Sequence, residues 1–159
     1  MGKSTRLVPA TLLLLLACAA CRQEPAQARA TPVCPSIAVA ELAVSPETGK
    51  RLPTANGRVV SVLDPPLLTT RDVVGARLGQ AEGRDVLELD LDPAAAARLR
   101  SYTAGHVGAP LAFVVDGRVR QVMRVLDPIL GNGLIVDPGD PKEVTALAQA
   151  LGDGRCADR

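Results

Sequence analysis

An α+β fold, a mostly antiparallel sheet covered on one face by two or three helices, is what this 159-residue sequence predicts. Three observations predict it. Residues 86–91 alternate apolar Leu87, Leu89 and Leu91 with acidic Glu88 and Asp90, the period-two pattern of a strand with one buried face. Residues 111–115 form a continuous apolar run that ends at Asp116-Gly117, a hairpin turn signal. Two stretches with helical apolar spacing, each opened by Asp-Pro, are interleaved with these strands around the hairpin.

Taken in order, residues 37–44 read as a strand, 46–57 as turn-rich, and 59–63 as a second strand. Thr69 precedes Asp72 by three, which predicts a capped short helix carrying Val73 and Ala76, with Gly75 weakening it. After the alternating strand, Asp92 caps a helix, Pro93 takes its first position, and Ala95, Leu99 and Tyr102 share a face before Gly105 ends it. The hairpin 111–125 and a short strand at 134–136 follow. In the closing helix Asp140 is the cap, Pro141 sits in the first turn and Glu143 completes the box. Val144, Leu147, Ala148 and Leu151 form its apolar stripe before Gly152.

The order of these elements resembles a known family. An alternating strand, Asp-Pro, an alanine-rich helix ending in Leu99-x-x-Tyr102-Thr103, then Gly108, Leu111, Ala112, Asp116 and Gly117 is similar to the head subdomain of the large periplasmic region of SecD. Gly131, Gly133 and Ile135 fit further on, as does the closing helix, so the resemblance runs from Thr70 to Leu151. The sequence departs from the family where a proline is absent at 122–124 and where Asp137 replaces a common glycine. The resemblance implies a binding role toward polypeptide emerging from the Sec translocase. The multi-span membrane portion of SecD has no counterpart in this sequence, which implies an accessory rather than a SecD.

The first 20 residues read as a lipoprotein signal peptide. Lys3 and Arg6 give a positive start, and residues 7–17 an apolar core of 11 residues, short of the ~20 that a bilayer crossing needs. Small residues ahead of Cys18 and Cys21 resemble the lipobox of bacterial lipoproteins, which implies acylation. Cys21 is the expected site, with Cys18 as the fallback, because lipid on Cys21 leaves Cys34 and Cys156 as an even pair in an oxidising compartment. Residues 21–35, rich in Ala, Pro and Gln, read as a flexible tether, and 36–156 as the domain. The expected location is the cell envelope, lipid-anchored to a membrane and facing the periplasm or the exterior.

Composition narrows the function classes. Without Lys3 and Arg6 the 18 basic residues fall to 16 against 17 acidic ones, a balance unlike that of a nucleic-acid binder. Arginine outnumbers lysine fifteen to three alongside abundant alanine, a coding bias rather than phosphate recognition. With one Tyr and one Phe, stacking platforms are essentially lacking and the core must be aliphatic.

Candidate chemistry is sparse. His106, the only histidine, has no nucleophile with a recognisable elbow nearby and sits where it can bond helix carbonyls. Cys34 and Cys156 lack the spacing of zinc ligands, so a disulfide is the expected use. The four Asp-Pro pairs that follow apolar runs, at 64, 92, 127 and 137, read as turns and caps, not as calcium ligands. Gly131-Asn132-Gly133 is a GxG with no following helix to hold a phosphate, and reads as a turn.

The expectation is therefore a non-enzymatic lipoprotein with no catalytic, metal or cofactor residues. Its partners would be unfolded polypeptide or Sec translocase subunits, met through Arg118, Gly131, Asn132 and Gly133, with the membrane reached through the lipid anchor and no nucleic acid bound. The rival readings are a structural or other ligand-binding envelope lipoprotein that reuses the fold, and a carboxylate-dependent hydrolase.

Overall fold

The apolar run at 111–115 exists because its strand is buried on both faces. In the computed structural model, which describes residues 33–157, this strand is one of nine, accompanied by two helices. In chain order they are β1 (Ile37–Glu41), β2 (Lys50–Pro53), β3 (Val59–Val62), β4 (Leu68–Thr69), β5 (Val73–Ala81), β6 (Arg84–Leu91), α1 (Pro93–Gly105), β7 (Pro110–Val115), β8 (Arg118–Arg124), β9 (Gly133–Val136) and α2 (Pro141–Leu151). β7 lies inside a four-stranded antiparallel sheet ordered β4-β1-β7-β8, with Val39 opposite Phe113 and Leu111 opposite Met123.

Strand alternation sends the two faces of β7 into two cores. Leu111, Phe113 and Val115 join Ile37 and Val39 in the main core, while Ala112 and Val114 join Ala40, Val119, Leu52 and Val62 in a smaller one. The smaller core is closed by the β2–β3 hairpin, whose register sets Leu52 opposite Val60.

A second sheet, ordered β5-β6-β9, supplies the rest of the main core. Leu87, Leu89 and Leu91 of β6 point inward with Leu134 and Val136 of β9. Glu88 and Asp90 point outward, where Arg77 of β5 reaches both at 2.6 and 2.8 Å. β5 and β6 join through Glu82 and Gly83, both at positive φ, the geometry of a tight two-residue hairpin turn.

The helices fill the same core from their apolar faces. Asp92 accepts hydrogen bonds from the Ala94 and Ala95 amides, and α1 buries Ala95, Ala96, Leu99 and Thr103. α2 is capped by Asp140, which accepts from the Lys142 amide, and it buries Val144, Leu147 and Leu151 against β5 and β6. Cys34 and Cys156 form a disulfide with Cα atoms 5.5 Å apart, which ties the segment before β1 to the turn after α2.

Several sequence expectations are corrected. The capping box at Thr69 and Asp72 forms, but it starts a single 3-10 turn over Thr70–Asp72, and Val73 and Ala76 belong to strand β5. The β-branched Val73-Val74 pair and Gly75 favour extended backbone there. The turn-rich stretch 46–57 contains β2, and the first strand ends at Glu41 instead of continuing to residue 44. Glu143 does not complete a capping box: its carboxylate pairs with Arg120 at 2.9 Å. Gly133, read as part of a turn, is the first residue of β9. The antiparallel strands are divided among a four-, a three- and a two-stranded sheet instead of forming one.

Candidate polypeptide-binding edge

Backbone pairing decides which groups β9 offers to a partner. Its register pairs Leu134 with Leu89 and Val136 with Leu87, and the Leu91 amide donates to the Asn132 carbonyl at 2.9 Å. In an antiparallel ladder, directly bonded pairs alternate with unbonded ones. Residues 132, 134 and 136 therefore spend their main-chain groups on β6, while Gly133 and Ile135 turn theirs outward. Among the described residues nothing bonds those outward amides and carbonyls. The next outward amide, on Asp137, does have a partner: it donates to the Gln121 side-chain carbonyl oxygen at 2.8 Å.

This edge carries exposed apolar side chains beside a charged face, since Ile135 lies opposite Glu88, which pairs with Arg77. Ile135 is 58 % exposed, and Leu130 and Leu126 in the preceding loop are 73 % and 76 % exposed. The nearby charges pair with one another, Arg84 with Asp137 and Arg120 with Glu143, both at 2.9 Å. The Arg120–Glu143 contact is an ion pair without hydrogen-bond alignment at Nε.

The sequence-predicted contact residues fall into two places. Arg118 is exposed at the start of β8, beside the hairpin turn, with its backbone opposite Val115. Gly131 and Asn132 are exposed and lead into Gly133 and β9, in the other sheet. Among the described residues no hydrogen bond or ion pair joins Arg118 to Gly131, Asn132 or Gly133, although further along β8 Gln121 accepts from the Asp137 amide. Gln121 and Leu130 were not singled out from sequence, and Ile135 entered only through the family resemblance. Cys18 and Cys21 lie outside the described residues.

His106 is used structurally. Its Nδ1 lies 2.8 Å from the Tyr102 carbonyl oxygen and its ring stacks on Tyr102 with centroids 4.1 Å apart. Burial, and then the Glu41 carboxylate, push the Tyr102 hydroxyl well above its usual pKa, so it stays neutral. Among the described residues no three His, Cys, Asp or Glu side chains gather as a metal site would require. The recess between the β2–β3 hairpin and the four-stranded sheet holds about 160 Å³. No helix among the described residues is long and apolar enough to cross a membrane.

Antiparallel sheets of four, three and two strands with two helices, packed around a main and a smaller apolar core, make this an α+β domain. The sequence pattern of the family described as SecDF, P1 head subdomain, matches residues 47–156, and the chain belongs to that family. The matched stretch is wider than 70–151, where the resemblance was read. A curated relative, protein translocase subunit SecD of Acidaminococcus fermentans, is 32 % identical over 90 residues, covering 55 % of this chain and 22 % of SecD. This chain thus spans about a fifth of that relative's length. A solved structure of SecDF, described as a membrane component that enhances protein export, superposes with a TM-score of 0.60 at 21 % identity, covering 77 % of this chain and 64 % of that one. SecDF from Thermus thermophilus, described as translocon-associated, gives a TM-score of 0.52 at 22 % identity, covering 77 % of this chain and 20 % of its own. These superpositions show a shared fold.

Proposed function

We propose that this domain is a non-enzymatic accessory in protein export or envelope protein handling, holding extended polypeptide at its surface or docking on Sec translocase subunits. The observation that carries this reading is the match to the SecDF P1 head subdomain over 47–156. The SecDF structures are described as belonging to an export-enhancing and a translocon-associated membrane protein, and the head is the part this chain shares with them. The free edge of β9 supports a binding role, since unpaired main-chain groups recognise any extended chain with little demand on its side chains. In this proposal lipid on Cys21, with Cys18 as the alternative, holds the domain at a membrane on the periplasmic or exterior side. Residues 21–35 then serve as the tether.

Photo-crosslinking residues introduced at Arg118, Gly131 and Asn132 in living cells test the proposal. They are expected to capture exporting polypeptides or translocase subunits. Capture of neither, by a protein that is folded, lipidated and exported, overturns it. Mass spectrometry of the mature amino terminus tests the anchor: an acylated Cys21 or Cys18 is expected, and an unmodified terminus beyond residue 21 contradicts it.

A further inference from the structure

The hydrogen-bond pattern of the strand edges indicates where on the domain an extended chain would lie. Among the described strands, the three-stranded sheet has two outer edges. On β5, the bonded pair Ala81–Arg84 next to the tight turn directs Leu78 and Gln80 outward. Further along, the backbone of the turn after α2 closes off this edge: a Cβ on Gly152 would lie 3.2 Å from the Ala76 carbonyl oxygen, and one on Gly154 2.5 Å from that of Val74. The remaining open stretch of β5 ends at the turn that carries Glu82, with Asp85 opposite Gln80, and charged neighbours of this kind guard edges against pairing.

On β9 the open stretch is different. Gly133 and Ile135 present their main-chain groups unpaired, the exposed neighbours are Ile135 and Leu130, and the third position is already filled from within the molecule. The Gln121 amide oxygen accepts from Asp137 where the carbonyl of an added strand would otherwise sit. Its NH₂ group has no partner among the described residues, so its two donors are free.

We infer that β9 is a strand-addition site. It takes one extended segment of another polypeptide, hydrogen-bonded to Gly133 and Ile135, with Gln121 stopping the added strand at Asp137. An apolar or β-branched residue of that segment lies beside Ile135, which fixes its register, and the other positions are tolerant. This inference rests on the polypeptide-holding role proposed above, but it assigns that role to one edge and one register.

The outward direction of the Ile135 amide supplies a clean test. Ile135→Pro removes that single donor and leaves the bonds of Leu134 and Val136 to β6 intact, since proline is tolerated on an edge strand when its nitrogen faces out. Leu78→Pro, the same change on β5, is the control. The probe is a short peptide of alternating valine and threonine with a lysine at each end, titrated against the oxidised domain and followed by amide hydrogen exchange. Bound peptide is expected to slow exchange at Gly133 and Ile135 about tenfold while Leu134 and Val136 hardly change. Ile135→Pro is expected to weaken binding about tenfold, the worth of one lost hydrogen bond, and Leu78→Pro to leave it unchanged. Each variant's urea midpoint reports whether it folds, and if Ile135→Pro fails to fold, the exchange pattern of the unaltered domain decides. Protection at Leu78 and Gln80, or at Gly133 and Ile135 without peptide because two copies pair, overturns the inference. If peptide protects another surface while in-cell crosslinks capture exporting chains, the β9 assignment fails and the functional proposal stands. Protection at β9 with no crosslinks in cells has the reverse meaning.

Discussion

Removing the Cys34–Cys156 bridge should weaken the domain by about 4–5 kcal/mol, the upper end of the range for deleting one buried core side chain. The two cysteines are 122 residues apart in sequence, so the bond closes a loop that spans nearly the whole domain. On the chain-entropy account a loop of this length restricts the unfolded chain by about 5 kcal/mol. Native contacts near the bridge do not offset this, because they vanish on unfolding: the Ser36 amide donates to Asp116 and the Thr70 hydroxyl to the Pro35 carbonyl. Cys156 is 2 % exposed, so replacing both cysteines with alanine also removes buried sulfur from the core. The measurement is urea unfolding of the oxidised domain and of Cys34→Ala/Cys156→Ala. A difference of about 4–5 kcal/mol appears as a midpoint shift of roughly 2–3 M at the slope usual for small domains. A shift worth less than about 1 kcal/mol, or maleimide reaction of both thiols in denaturant without reductant, refutes the reasoning.

Three further outcomes follow from the packing. Leu147, 4 % exposed against the second sheet, should cost about 2–5 kcal/mol as Leu147→Ala in the same urea assay; below about 1 kcal/mol, the α2 stripe would not be core. Burial alone would raise the Asp72 carboxyl, but the Thr69 amide, the Arg98 guanidinium and the Thr69 hydroxyl outweigh it and hold the pKa below the usual carboxylate range. A depressed native pKa means this stability is complete at neutral pH and is lost as the pH falls from the ordinary range near ~3.9 through the lower native value. Asp72→Asn should therefore cost about 1–2 kcal/mol at pH 7 and little at acid pH, as midpoints at the two pH values will show. Gly154, at φ +69° with the Val74 carbonyl oxygen 2.5 Å from any added Cβ, should cost about 1–3 kcal/mol as Gly154→Ala in thermal or urea unfolding.

What could be read from the sequence was what depends on local pattern. Leu87, Leu89 and Leu91 announced β6, the unbroken run 111–115 announced β7, and Asp92 and Asp140 marked helix starts that both use their side chains as caps. β2 escaped because Leu52 is its only buried residue and Pro53 ends it. β5 was half hidden because the Thr69–Asp72 box is a genuine helix-start signal spent on one turn. The division into separate sheets was not legible at all, since the pairing of β1 with β7 joins segments far apart in the chain and leaves no local period. The candidate edge has the same character. Asn132 and Gly133 stood out as turn residues, but which amides of β9 face outward depends on its register with β6, and Gln121 meets Asp137 only after folding.

Export kinetics test the proposed role in protein export most directly. Pulse–chase labelling would follow signal-peptide removal from a secreted reporter in cells lacking the protein, and in the same cells supplied with the unaltered chain or with Ile135→Pro. Processing is expected to slow without the protein, to be normal with the unaltered chain, and to recover incompletely with Ile135→Pro. Processing at the same rate in all three strains would contradict it.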